Sequence, residues 1–426
     1  MSTEQERALP EELSIRANML WNSAGSLTYL ACQWLTTIVI VRLSTGYDDA
    51  GLLSLAMSVV GIFSTFANYK MGTYQVSDIR HEHSLSDYLG FRCFMLAVAF
   101  VACMVYAYFT CAPGALLTVA LYYVYRGFGL VIDVLHGADQ LGRRMDYIGK
   151  SFMLQGVLSL ASFVAVYALT QSLDAAIVAM TVLTACVLIF FDRSRAAQFE
   201  PVRVTLRWRT ALFFLKTSLP AVVASLAASA LFAVPKQFLS WEFGEAALGI
   251  YSSVAAPALV VQMGATYLYN PLLDVFPRLY FAGKRKEFVR LLARTVAGIM
   301  AIAVVCSVLL AFFGSWALQL LFGSSIAPYV YLLQPIILST VLTAFLWFFG
   351  DVLIAVRCFR GTLLGNLAAF VAVLPLTFAC VLTWDMNGVS FAGAGACMVG
   401  VLVLAAYLTH AVRTGPRPIE EEERSS

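Results

Sequence analysis

Stretches of about twenty apolar residues follow one another along almost the whole chain, separated by short polar connections. A run of that length is what an α-helix needs to cross the hydrocarbon core of a bilayer. In lipid, only structures that satisfy their own backbone hydrogen bonds survive, so such runs fold as helices. The apolar windows predict spans near residues 19–42, 50–69, 90–110, 114–135, 149–169, 174–191, 211–233, 246–268, 291–313, 328–350, 362–383 and 390–410, about twelve transmembrane helices in all. With 60% hydrophobic and 12% charged residues over 426 positions, no room is left for a large soluble domain. That balance excludes a water-soluble enzyme, a disordered chain and a nucleic-acid binder.

The nine cysteines lie mostly inside apolar runs, without Cys-x-x-Cys spacing, and read as small core residues. The N-terminal stretch carries Glu4, Glu6, Glu11 and Glu12 and no apolar segment of the signal-peptide kind, so the first span is expected to act as its own insertion signal. The His81-x-His83 pair has no further Cys or His near it and is not read as a metal site. The segment from Gly137 approaches a phosphate-binding loop, but Arg143 and Arg144 stand where Lys and Ser or Thr are required. No ATPase, no metal and no cofactor are therefore expected.

Charge placement gives orientation. The connections 44–49, 111–114, 170–174, 323–328 and 384–388 are short, and 314–327 is the longest on that side, without Asp, Glu or His. The alternate connections and the two tails hold 24 of the 28 Lys and Arg residues, among them Arg92, Arg143, Arg357 and Arg360. By the positive-inside rule that face is cytoplasmic, with both termini inside. The polar stretch 192–210 then reads as a cytoplasmic linker between a six-helix bundle at 1–191 and a second at 211–410, followed by a tail at 411–426. The halves open alike: a helix with a basic residue at its outer end (Arg42; Lys236), an acidic turn, and a helix led by Gly51 or Gly249. Parallel repeats of this kind occur in transporters with a binding site at their interface.

Three segments carry a family resemblance: RGFGLVIDVLHGADQLGRRMDYIGK at 126–150, VPKQF with EAALGIYSSVA at 234–255, and WNSAGS at 21–26. They resemble the corresponding parts of the polysaccharide flippases, the Wzx-like exporters of the multidrug/oligosaccharidyl-lipid/polysaccharide superfamily, weakening after Arg360. The resemblance implies an all-α membrane protein with two six-helix bundles forming a V around a central cavity. It further implies non-enzymatic, ATP-independent flipping of a lipid-linked oligosaccharide at the plasma membrane. Expected partners are that substrate, membrane lipids and other polysaccharide-assembly proteins. An ion-coupled exporter of small cationic compounds is the alternative within the fold, and a multi-spanning glycan polymerase the alternative outside it.

A charge at membrane depth is costly and so marks a functional position. Arg126 lies midway along the fourth span, too deep to reach either interface, and is the leading substrate-binding candidate. An ion pair with an acid on another helix is the competing reading. Lys216 enters the seventh span close to its cytoplasmic end, where a lysine stem reaches the interface. Lys236 and Arg42 are candidates for which anchoring competes with ligand binding. Asn22 and Tyr122 complete the substrate set; Tyr122, Tyr123, Tyr125 and Phe128 offer faces for sugar stacking or for helix packing. Asp133, alternatively a partner of Arg143, and Asp351, alternatively a partner of Arg357 or Arg360, are the ion-coupling candidates. A site built from Arg126, Lys216 and Lys236 is net cationic and suits a diphosphate. Reporter fusions after Arg203 and Gly323 should read inside and outside respectively, and the reverse at either position overturns this topology.

Overall fold

A computed structural model describes residues 12–78, 82–273 and 275–415. Glu4, Glu6, Glu11 and His81, and, of the 24 basic residues counted on the cytoplasmic side, Arg7, Arg80, Arg417 and Arg424, lie outside the described residues. Among those described the chain is helical throughout, with no strand. The membrane-length helices are α1 (Ile15–Leu43), α2 (Asp48–Asn68), α3 (Leu85–Thr110), α4 (Ala115–Leu141), α5 (Met145–Thr170) and α6 (Leu173–Cys186, continued by the π-helical turn Val187–Asp192). The second series is α7 (Trp208–Phe243), α8 (Glu245–Ala255, continued beyond Pro257 by Leu259–Tyr269), α9 (Arg285–Phe322) and α10 (Leu333–Ala355). It ends with α11 and α12, which divide Phe359–Thr414 at the non-helical Trp384 and Asp385.

Among the described residues ten helical segments are long and apolar enough to cross a membrane, the last being this undivided Phe359–Thr414, whose division gives eleven. The 36-residue α7 is also of membrane length. The chain is a multi-span helical membrane protein.

Polar residues at the boundaries explain where the spans begin. The Ser14 hydroxyl accepts from the Ala17 N–H at the start of α1. Ser84 and Asp87 form a reciprocal capping box at the start of α3, and Ser172 caps α6. Several helices outrun their apolar windows. The α9 helix continues through Gly314 to Phe322 and stops at Gly323, whose φ of +94° is left-handed. The connection expected at 314–327 is thus largely helix, because Leu318 and Phe322 keep the buried face going. Likewise α7 runs to Phe243 before Gly244 turns at φ +85°. Lys236 consequently sits about two turns inside that helix, whereas Arg42 occupies the last turn of α1. The two basic positions are not equivalent in depth, a correction to the matched openings read from the sequence.

Contacts divide the chain into two compact units, Met1–Ser229 and Ala230–Ser426, so the first part of α7 belongs with the first unit. Phe214 explains this: it is fully buried, stacks on Tyr88 with ring centroids 5.3 Å apart, and meets Phe91 edge-on. Close by, the Tyr69 hydroxyl donates to the Leu215 carbonyl at 3.0 Å. The segment leading into α7 is strapped across the start of α3. The Glu200 carboxylate accepts from the Leu85 N–H at 2.7 Å, and Gly90, lacking a Cβ, admits the Thr205 carbonyl. Burial alone would raise the Asp78 carboxyl, but N–H donation from Glu82 and His83 and a hydroxyl donation from Tyr88 hold it below its ordinary value.

With lipid on the outside, helices associate by close packing at small residues rather than by escape from water. In the first unit α1 crosses α5 where Gly25 meets Gly149, and one heptad on Gly156 lies against Tyr29, so near that a Cβ there would come within 3.0 Å of its Cα. In the second unit Gly365 and Gly400 perform the same service between α11 and α12. All nine cysteines are free thiols, four of them buried.

Candidate functional site

Two places gather the polar side chains singled out from the sequence, one in each unit. In the first, Arg126 is half-buried at the middle of α4 and donates to the Tyr29 hydroxyl of α1 at 3.4 Å, a long contact for a hydrogen bond. Tyr122, one turn earlier on the same face, is buried against Tyr125, whose hydroxyl accepts from Gln33 at 2.9 Å. Among the described residues no carboxylate pairs with Arg126, so the inter-helix ion pair posed as its alternative is absent. Its surroundings are the phenols of Tyr29, Tyr122 and Tyr125, which leave most of the guanidinium donors directed at no protein acceptor. Tyr123 is a packing residue: its hydroxyl donates to the Leu96 carbonyl at 2.9 Å and its ring meets Phe100.

Asp133 pairs with a residue that the charge pattern had assigned to a cytoplasmic connection. Arg92 lies inside α3, fully buried, and reaches Asp133 at 3.3 Å, the Asn68 side-chain oxygen at 2.7 Å and the Ala67 carbonyl at 3.4 Å. Arg143, the partner considered for Asp133, instead meets Glu12 at 2.8 Å. The sequence alone left Arg92 ambiguous because the apolar window opens only two residues before it, whereas the capping box starts the helix at Leu85.

In the second unit a cavity of about 260 Å³ opens between α7, α8, α10 and α12. Lys236 is the one charged residue on its wall, among the described residues, and Tyr251, Gln262, Ser339, Thr340 and Thr343 supply polar groups. Phe232 and Trp347 form an aromatic corner, their rings 6.4 Å apart and near perpendicular. Pro235 beside Lys236 has no N–H, which frees the Leu231 carbonyl on the same wall from its helical bond. The volume lies a little below the roughly 300–1,000 Å³ usual for ligand sites and suits a sugar ring or a phosphate group.

The remaining candidates are scattered. Lys216 is exposed on α7, Arg42 is exposed at the end of α1, and Asn22 is half-buried one heptad before Tyr29 on α1. Asp351 accepts from the Tyr269 hydroxyl at 3.2 Å rather than pairing with Arg357, which lies over the Phe281 ring, or with Arg360.

No protein-family model matches the sequence. Over 300 residues, 68% of this chain and 73% of the relative, it is 26% identical to the capsular polysaccharide biosynthesis protein CapF of Staphylococcus aureus. Its fold resembles the lipid II flippase MurJ in an inward closed conformation, with a TM-score of 0.71, 11% identity, and coverage of 92% of this chain and 87% of that one. A multidrug resistance MATE family transporter of the MOP superfamily, in an outward-facing conformation, matches at a TM-score of 0.55 and 15% identity over 97% of this chain and 99% of its own. The chain shares its fold with MurJ and with the MATE transporter. Within that fold the cationic positions Arg126 and Lys236 lie on spans, while the two span carboxylates proposed for ion coupling are already engaged, Asp133 by Arg92 and Asp351 by Tyr269.

Removing one partner of a buried ion pair costs about 3–5 kcal/mol. The Asp133 side chain is 47% exposed, so screening should reduce the cost of Asp133→Asn to about 1–2 kcal/mol. Thermal unfolding should show that loss, and adding Arg92→Met should recover most of it. A double variant less stable than Asp133→Asn alone would mean that the pair is not what holds Arg92.

Proposed function

We propose that this chain is a flippase that moves a polyprenyl-diphosphate-linked oligosaccharide from the cytoplasmic to the outer leaflet of the plasma membrane. It serves cell-surface polysaccharide synthesis, works by alternating access without ATP hydrolysis, and is not an enzyme. The observation that carries this reading is the pair of membrane-depth cations, Arg126 and Lys236, set among hydroxyls, amides and aromatic rings with no carboxylate partner among the described residues. A guanidinium grips diphosphate oxygens in a bidentate manner, and hydroxyl groups beside aromatic rings suit a sugar. The names of CapF and MurJ support the same substrate class. Export of a small cation, the reading that the MATE likeness favours, calls for carboxylates facing the substrate, and Asp133 and Asp351 are occupied by protein groups.

In this proposal the six-helix halves 1–191 and 211–410, joined by 192–210, are the two lobes, the first part of α7 packing with the first of them, and both termini are cytoplasmic. Lys216, Arg42, Asn22 and Tyr122 complete the substrate-contacting set, ion coupling through Asp133 or Asp351 requires their release from Arg92 or Tyr269, and other polysaccharide-assembly proteins are partners.

Deleting the gene should leave lipid-linked oligosaccharide accumulating in the inner leaflet and remove the surface glycan. Arg126→Ala should fail to restore the glycan although the protein still inserts, and Arg126→Lys should restore part of it because bidentate geometry is lost. Unchanged glycan together with new sensitivity to a cationic drug would move the assignment to the exporter.

A further inference from the structure

The Leu141 end of α4 carries titratable side chains that the proposed substrate contacts do not use. His136 and Asp139 lie one turn apart on the same face of α4, and Asp192 closes the π-helical turn that continues α6 into the short helix Arg193–Ala196. His136 Nε2 stands 3.3 Å from Asp192 Oδ1, and the Phe152 ring of α5 packs edge-on against the imidazole at 5.0 Å. His136 is 5% exposed, Asp139 0% and Asp192 1%. Both carboxylate oxygens of Asp139 and Oδ2 of Asp192 have no hydrogen-bond partner in the protein.

The charges around Asp139 are His136 on its own helix, Asp192 on the π turn, and Arg144 with Asp146 at the start of α5. Neither nearby cation of α5 is available to it. Arg144 is spent on Asp146 through contacts of 2.8 and 3.1 Å, and Lys150 meets the same carboxylate at 2.9 Å. Even with His136 as a cation, two carboxylates and one imidazolium leave a net negative charge in a place closed to solvent. An ionised carboxylate buried without a partner is very costly, and such a group takes up a proton, pairs with a cation or holds a metal ion. Among the described residues no group of three or more His, Cys, Asp or Glu side chains is placed to hold a metal ion.

We propose that His136, Asp139 and Asp192 form a proton-binding site, with one proton carried as the neutral Asp139 carboxyl. Binding adds a proton to a carboxylate oxygen and gives Asp139 a donor in place of an unpaired charge. A π turn is often found at functional positions, and this one brings Asp192 to His136. Because the members come from α4 and α6 and face α5, loss of the proton sets like charges against each other across packed helices. Proton occupancy is thereby tied to the packing of this end of the first unit.

The test needs no substrate, so its outcome is separate from that of the flippase assignment. Infrared spectra of the purified full-length protein at about pH 7, in water and in deuterium oxide, should contain a protonated-carboxyl band. That band should be lost in Asp139→Asn. A wild-type spectrum without the band, or an Asp139→Asn spectrum that retains all of it, overturns the proposal. Should Asp139→Asn not fold, Asp139→Glu keeps a carboxyl at this place and should shift the band; a band at unchanged frequency in Asp139→Glu overturns the proposal. At fixed pH, thermal stabilisation by sodium chloride over choline chloride that disappears in Asp139→Asn would assign the site to a sodium ion and likewise overturn it.

Discussion

Backbone hydrogen bonding in a medium without water is the constraint on which everything else in this protein depends. Each span must satisfy its own N–H and C=O groups, which leaves the helix as the one available form for a chain of this composition. Helices of this kind gain little from hiding apolar surface, because lipid is as apolar as their side chains. What remains to hold them is contact, and contact is closest where Gly25 faces Gly149, Gly156 faces Tyr29, and Gly365 faces Gly400 and Leu404. The same setting makes every polar group at depth expensive. Arg92 is accommodated by one carboxylate, one amide and one carbonyl. Arg126 has a single long contact to a phenol, and Lys236 faces a cavity. It is this difference between a cation paired with a carboxylate and two cations without one among the described residues that points from structure to function.

The spans were legible because their signal is compositional: twenty apolar residues between polar connections identify a crossing whatever their order. The edges were not. Capping by Ser84 and Asp87 starts α3 five residues before its apolar window, and α9 and α7 persist until Gly323 and Gly244 take positive φ. Such edges decide chemistry, since the extra turns of α7 move Lys236 from a helix end to a cavity wall. Arg126 was legible as a deep charge from its distance to either end of the run. Its partner was not, because Tyr29 comes from another helix, and a single sequence carries no record of which helices meet. The same reason hid the pairing of Asp133 with Arg92. Asp192 read as the first residue of a polar linker, yet the π turn continues α6 through it and buries it.

The fold alone does not separate a flippase from a drug exporter, since MurJ and a MATE transporter both share it. The proposed site favours the flippase. Carboxylates committed to Arg92 and Tyr269 are poor receptors for a cationic compound, whereas cations without carboxylates are suited to an anionic headgroup.

The most direct measurement is flipping by the purified protein in liposomes, using a short-chain polyprenyl-diphosphate oligosaccharide whose exposed fraction is read by a membrane-impermeant sugar-modifying enzyme. The account predicts that the protein brings lipid from the protected leaflet within reach of the enzyme, that Arg126→Ala and Lys236→Ala each slow this severely, and that the monophosphate analogue moves less readily than the diphosphate. Equal movement with and without the protein, or undiminished flipping in both variants, would contradict it.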